Sequence, residues 1–396
     1  MPSPIEAIYW LLVFLVILAI GDIVGTATRA RISGFFVIIL LLLIGFLTGL
    51  LPADIVSRAG LTGVIPYVAA LLIFHMGTLI DIRTLIMQWR TVIVAIVSMA
   101  AIWTFLSILG PVLLGRAETL VCIPIVNGGI IAAQIMTQAA MSKGYQLAAA
   151  LGVLVLGIQG FFGSFFMSFF SSREARRIVK LYREGKLRLQ STQNTEQREY
   201  PGYHIINLEK YESYLTDFVL LLISAFFAWL ALLLGTITPV NYSLWALFLG
   251  IVASYLGLAP EKILERARSS GFLMVVLFGA IVPALTFIKA EQLATLTYQL
   301  CVVFGISLPA TFLFTYILPT WKLVGSRDMA FSIGVAQLLG YPGTYLVSLE
   351  VARSVGKTPE EREIILRRVL PMNVIAGFTT VTTLSIVVAG IFVGLL

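Results

Sequence analysis

Charge is scarce in this sequence. Asp, Glu, Lys and Arg make up 12% of its 396 residues, against about 25% in a soluble domain. With 59% hydrophobic residues and a mean hydropathy of +0.97, the chain reads as a polytopic membrane protein. Cysteine is nearly missing. Cys122 and Cys301 both lie in apolar runs, so neither a disulfide framework nor a metal cluster can be built from them. Histidine is limited to His75 and His204, and His204 stands in a hydrophilic segment with no ligand partner near it. Enzyme motifs are missing too: no Gly-x-Ser-x-Gly, His-Glu-x-x-His or P-loop occurs. Glu360-Glu361 follows Thr358-Pro and reads as a helix start, not as an acid–base pair. The N-terminus, Met-Pro-Ser-Pro-Ile-Glu, lacks the basic region of a cleaved signal peptide, so residues 8–26 read as a retained helix.

What the sequence does have is apolar runs of spanning length. They fall at 8–26, 34–51, 64–80, 91–114, 147–170, 216–235, 241–258, 271–288, 293–318 and 372–394. One long hydrophilic connection, 171–215, holds nine Lys/Arg. Its Arg173-Glu-Ala-Arg-Arg-Ile-Val-Lys-Leu-Tyr-Arg reads as a short basic amphipathic helix at a membrane surface. The net charge of +7 is explained by basic loops on one side of a bilayer, without a nucleic-acid partner.

Two further apolar stretches, 119–142 and 328–352, are interrupted. Pro124, Asn127, Gly128 and Gly129 crowd the first, and a regular helix disfavours such a group. A Gly/Pro-broken apolar segment with a counterpart in the other half points to a transporter's binding site. The counterpart exists because the chain repeats itself. At an offset of 208, Pro52, Ile55, Arg58, Ala59 and Gly63 match Pro260, Ile263, Arg266, Ala267 and Gly271. At an offset of 212, Gly128, Ala140, Ser142 and Gly144 match Gly340, Ala352, Ser354 and Gly356.

Charge chooses the topology. If both broken stretches cross fully, the 27 Lys/Arg divide 16 to 11 between the two sides. If each is a hairpin that enters and leaves on one side, they divide 23 to 4. The positive-inside tendency prefers the second. The predicted architecture is therefore all-α, with ten transmembrane helices and two re-entrant hairpins in two inverted five-helix repeats. The first repeat is 1–170 with hairpin 119–142, the basic linker 171–215 is cytoplasmic, and the second repeat is 216–396 with hairpin 328–352. Both termini fall outside the cell membrane, and the two tips enter from opposite faces.

Asn127, Gly128 and Gly129 form the first tip, whose backbone groups and amide suit a carboxylate or a cation. The bland alternative is close helix packing by small residues. Gly340, Gly343 and Thr344 form the second tip with Tyr341-Pro342, and Gln337 precedes it. Asn373 opens the last helix, followed by Thr379, Thr380, Thr382 and Thr383. Substrate ligands are thus expected among Asn127, Gly128, Gly129, Gly340, Gly343, Thr344 and Asn373. Ion ligands are expected among Gln337, Thr344, Asn373 and Thr380. Gln159, Ser164 and Ser168 lie on the mate helix of the first half, where satisfying their own helix is the commoner role. Asp22 and His75 are intramembrane ionisable groups, open to a proton-coupled antiporter or exporter reading or to ordinary interfacial and interhelical roles. No Asp-Asp or Asn-Asp pair supports the antiporter. A non-transporting docking module, acting through 171–215, is the alternative from another class.

Leu339-Gly-Tyr-Pro-Gly-Thr-Tyr-Leu-Val, Val369-Leu-Pro-Met-Asn-Val-Ile-Ala-Gly-Phe and Ile125-Val-Asn-Gly-Gly resemble the hairpins and last helix of the glutamate:sodium symporter family, which is related to the 2-hydroxycarboxylate transporters. The first tip departs from that pattern, with Ile130-Ile-Ala-Ala where the family has a histidine after the Gly pair. The resemblance implies a scaffold domain and a mobile core carrying both hairpins, elevator-like motion and a homodimer in the bilayer. It also implies symport of a small organic anion, glutamate or another carboxylate, with sodium as the coupling ion and no other cofactor.

Overall fold

In the computed structural model all regular elements are helical. The structure describes residues 3–28, 34–79, 86–187, 212, 214–340 and 343–396, and no strand occurs among them. Most of the linker (188–211), His204, Arg29, Arg31, Arg83 and the expected turn at Tyr341-Pro342 lie outside the described residues.

The first half contains α1 (Pro4–Ala27), α2 (Gly34–Leu47), α3 (Ile55–Arg58), α4 (Ile65–Thr78), α5 (Trp89–Leu113), α6 (Arg116–Val126), α7 (Ile130–Ser142) and α8 (Gln146–Arg183). The second contains α9 (Asp217–Ile237), α10 (Tyr242–Tyr255), α11 (Ile263–Arg266), α12 (Ser270–Leu285), α13 (Leu293–Phe312), α14 (Arg327–Ala336) and α15 (Gly343–Val355). It closes with α16 (Pro359–Phe378) and α17 (Ser385–Leu395), joined by a π-helical turn at Thr379–Leu384. Among the described residues six helices are long and apolar enough to cross a membrane, which makes this an all-helical protein of membrane type. α2, α4, α10 and α12 coincide with four more of the expected runs but have only 14 to 16 residues. At about 1.5 Å per residue they fall short of a hydrocarbon layer of about 30 Å.

The shortening has a local cause that recurs between the halves. α2 gives way to Gly49 at φ +73° before Pro52, and α10 to Gly257 at the same φ before Pro260. Each pair of positions differs by the offset of 208 already seen in the sequence. Only glycine takes a positive φ without cost, and proline cannot continue the previous helix. α3 and α11, four residues each, also sit 208 apart.

α8 is the central post. Its most apolar window is 72% buried, against 17% for α1 and 22% for α9. It packs against α6 and α7, against α14 and α15, and against α2, α12, α13 and α16. Phe166 and Phe170 of α8 hold Phe331 of α14 at centroid distances of 6.1 and 4.5 Å, with Phe312 of α13 on another side at 5.4 Å. Such edge-on contacts are the favoured aromatic geometry. The basic segment from Arg173 differs from expectation: it is the uninterrupted end of α8, not a separate surface helix. No Gly or Pro occurs between Ser164 and Gly185 to stop the helix, and Gly185, at φ +69°, follows its end. These last turns grip the base of α14. Glu174 accepts from Ser326, Arg177 donates to the Gly325 carbonyl at 3.2 Å, and Arg173 pairs with Asp328 at 3.4 Å. Arg183 pairs with Glu361 of α16 at 2.7 Å.

α4 and α10 cross backbone to backbone at Gly77 and Gly250. A Cβ at Gly250 would collide with the Phe74 carbonyl, and one at Gly77 would lie 2.7 Å from the Gly250 Cα. Small residues permit such close crossings in membranes. Gly250→Val is expected to cost about 1–3 kcal/mol, read as a lowered unfolding temperature of the purified protein in detergent.

Candidate functional site

The first break follows from its residue types. α6 ends at Val126, two residues after Pro124, so the carbonyls of its last turn need other closure. Asn127 supplies it, donating Nδ2–H to the Ile123 carbonyl at 3.0 Å, while the Gly128 N–H reaches Ile125 at 2.9 Å. Asn127 is fully buried and its Oδ1 has no partner. The Gly128 carbonyl accepts from Nε2 of Gln159 on α8 at 2.7 Å. A Cβ at Gly128 would press on the Pro124 carbonyl at 2.6 Å, and one at Gly129 on Val381 at 2.8 Å. α7 then starts with no side-chain cap, so its first N–H groups have no helical partner.

The second break is a helix end. The Ala336 carbonyl closes α14 by accepting from the N–H groups of Leu339 at 3.1 Å and Gly340 at 2.9 Å. Gly340 takes φ +67°, and its carbonyl accepts from the Thr344 N–H at 2.9 Å as α15 begins. A Cβ at Gly340 would meet Val381 at 3.1 Å. The two tips therefore meet on one residue of the π-helical turn. Between them lies a cavity of about 150 Å³ lined by Gly128, Gly129, Gly340, Gln159 and Val381, with apolar side chains on its remaining walls. Ile130 and Ile131 bring the start of α7 to it, and Leu338 and Leu339 bring the end of α14. A helix start is electropositive and a helix end electronegative.

Behind the second tip is a buried polar network. Asn373 accepts from Ser332 at 2.9 Å and donates to Ser171 at 3.0 Å and Ser348 at 3.2 Å. Gln337 donates Nε2–H to Ser98 at 2.9 Å, and its Oε1 is buried without a partner. Thr344 Oγ1 and Thr379 Oγ1 are likewise buried and unpaired. A Cβ at Gly377 would lie 3.3 Å from Thr344 Oγ1 and 3.2 Å from the Ala336 carbonyl, so both oxygens face the same point of α16. Thr380 donates to the Ala376 carbonyl at 2.8 Å within its own helix. Gly343 packs on Leu339. The side chains of Thr382 and Thr383 are outside the described set.

Most of the expected residues fall into two groups, while Gly343 packs on Leu339 and Thr380 bonds within its own helix. Gly128, Gly129 and Gly340 share the cavity, with Asn127 directly behind the first tip. Gln337, Thr344 and Asn373 belong to the second group. Ser98, Ser171, Ser332 and Ser348 were not expected, because a lone serine in an apolar run carries no distinguishing signal. Gln159, first read as structural, holds the tip and lines the cavity. Asp22 is exposed on α1. His75 is buried and its Nδ1 accepts the Leu264 N–H at 3.3 Å, so it closes the start of α11. Among the described residues no His/Cys/Asp/Glu group could hold a metal ion. No protein-family model matches the chain, and a search of curated proteins finds no match.

Asn373→Ala would leave Ser171 and Ser332 bonded only to each other and Ser348 only to the Thr344 carbonyl, and the lost bonds between helices are expected to cost about 1–3 kcal/mol. Thr380→Val, which removes only a bond within one helix, should cost under about 1 kcal/mol. Thermal unfolding of the two variants in detergent checks the order.

Proposed function

We propose that the chain is an ion-coupled secondary transporter of a small organic anion, glutamate or another carboxylate, with sodium as the coupling ion. The observation that carries this reading is the meeting of two Gly-containing helix breaks, 212 residues apart in sequence, at one cavity around Val381. Broken helices whose ends converge on a cavity are the binding architecture of secondary transporters. The matching shapes at the 208 offset support an internal repeat. With the 23 to 4 division of Lys/Arg they favour ten spans, two re-entrant hairpins, termini outside and a cytoplasmic 171–215. Elevator-like motion in a homodimer is part of the same proposal.

The mechanism follows from charge in a low-dielectric site. The uncapped start of α7 offers N–H groups and a positive dipole end to a carboxylate. The unpaired oxygens of Gln337, Thr344 and Thr379 are neutral donors of the kind a hard monovalent cation accepts. Each ion alone would be costly to bury, and each offsets the other. That mutual dependence is the coupling. The hydrogen bond from Leu264 gives His75 a structural task, which weighs against a proton-antiport role.

Purified protein in proteoliposomes is expected to accumulate a labelled carboxylate when a sodium gradient is imposed; no accumulation of any anion under any cation gradient overturns the proposal. In the same assay Asn127→Ala should weaken apparent affinity for substrate or ion by about tenfold, the equivalent of one buried polar contact. A single cysteine placed in 188–211 should react with an impermeant maleimide only from the cytoplasmic face.

A further inference from the structure

The cavity's walls say more about its ligand than that it carries a carboxylate. Only glycine backbone and Gln159 interrupt an apolar lining that includes Phe35, Met76, Leu156 and Met274. No Lys, Arg, His, Asp or Glu stands among the lining residues. A ligand with net charge would enter with nothing of opposite sign on a side chain to meet it, and burying an unpaired charge is costly. Yet the cavity is polarised. The start of α7 reaches it through Ile130 and Ile131, and the end of α14 through Leu338 and Leu339, so a positive and a negative dipole end both border it. Gln159 adds an acceptor. The residue is 5% exposed, its Nε2 is engaged by Gly128, and its Oε1 has no partner.

Size sets the last limit. A cavity of about 150 Å³ holds a molecule of about six non-hydrogen atoms, comparable to benzene. Glutamate exceeds that, and its second carboxylate would face methionine and phenylalanine.

We propose that the cavity between the two tips binds a zwitterionic α-amino acid with a short apolar side chain, of the size of alanine. The carboxylate lies at the start of α7, the ammonium group between Gln159 Oε1 and the end of α14, and the side chain against Met76 and Met274. The proposal rests on reading this cavity as a carboxylate site, and it replaces the net anion of that reading with a zwitterion whose own ammonium group balances the carboxylate.

Equilibrium binding of labelled alanine, propionate, lactate and glutamate to the full chain in nanodiscs tests it. Alanine is expected to bind at least about tenfold more tightly than the other three, since each lacks the ammonium donor or adds an unmatched charge. Glutamate or propionate binding as well as alanine overturns the zwitterion assignment and leaves the carboxylate site standing. If no carboxylate binds, the assignment and the carboxylate reading fall together. Gln159→Leu should weaken alanine binding about tenfold more than it weakens propionate binding. Because Gln159 also holds Gly128, Met274→Ala serves as an independent variant. It widens the apolar end and should shift preference from alanine toward leucine; an unchanged ratio counts against the proposal.

Discussion

A helix broken inside a bilayer-sized bundle exposes backbone groups that hydrocarbon cannot satisfy. This constraint explains more of the structure than any other. At the first break, Asn127 closes the Ile123 carbonyl and Gln159 closes the Gly128 carbonyl. At the second, the Ala336 carbonyl takes two N–H groups and Gly340 adopts the one conformation that lets the chain turn. α8 is buried because it must supply Gln159 to one tip and Ser171 to the network behind the other. Some buried oxygens stay unpaired, among them those of Thr137, Ser243 and Gln299 away from the breaks. The unpaired oxygens of Asn127, Gln159, Gln337, Thr344 and Thr379 lie at or just behind the two tips.

The breaks were legible in the sequence because their residues are hostile to a helix on local grounds. Proline lacks a donor, glycine lacks a Cβ and asparagine competes for backbone bonds, whatever the surrounding fold. The 208 offset was legible for the same reason, since Pro52 and Pro260 mark the two places where a spanning run must end. The structure adds that Gly49 and Gly257 turn the chain there, which shortens α2 and α10 relative to their apolar runs.

The polar network was not legible. Ser307 donates to the Val303 carbonyl of its own helix, whereas Ser332 donates to Asn373 across helices. Nothing in the flanking residues separates the two cases, because the difference lies in which helix is packed alongside. The continuation of α8 was misread for a different reason. Its Arg and Lys spacing looks amphipathic, but helices end where a breaker stands, and the next one is Gly185. The π-helical turn had a faint mark in Thr379, Thr380, Thr382 and Thr383, since β-branched side chains strain a regular helix.

α8 has a mechanical consequence. Its 38 residues make a rod of about 57 Å at about 1.5 Å per residue. α6 and α7 are fastened to it at their break through Gln159, and α14 through the Phe331 aromatic cage and the salt-bridged base at Asp328. Two parts riveted to one rod keep a fixed gauge. The gap between the tips is then a property of the assembled block, and the transport proposed above would require the whole block to travel past its neighbours. The loose fit needed for such travel cannot be at Gly77 and Gly250, where two backbones already touch.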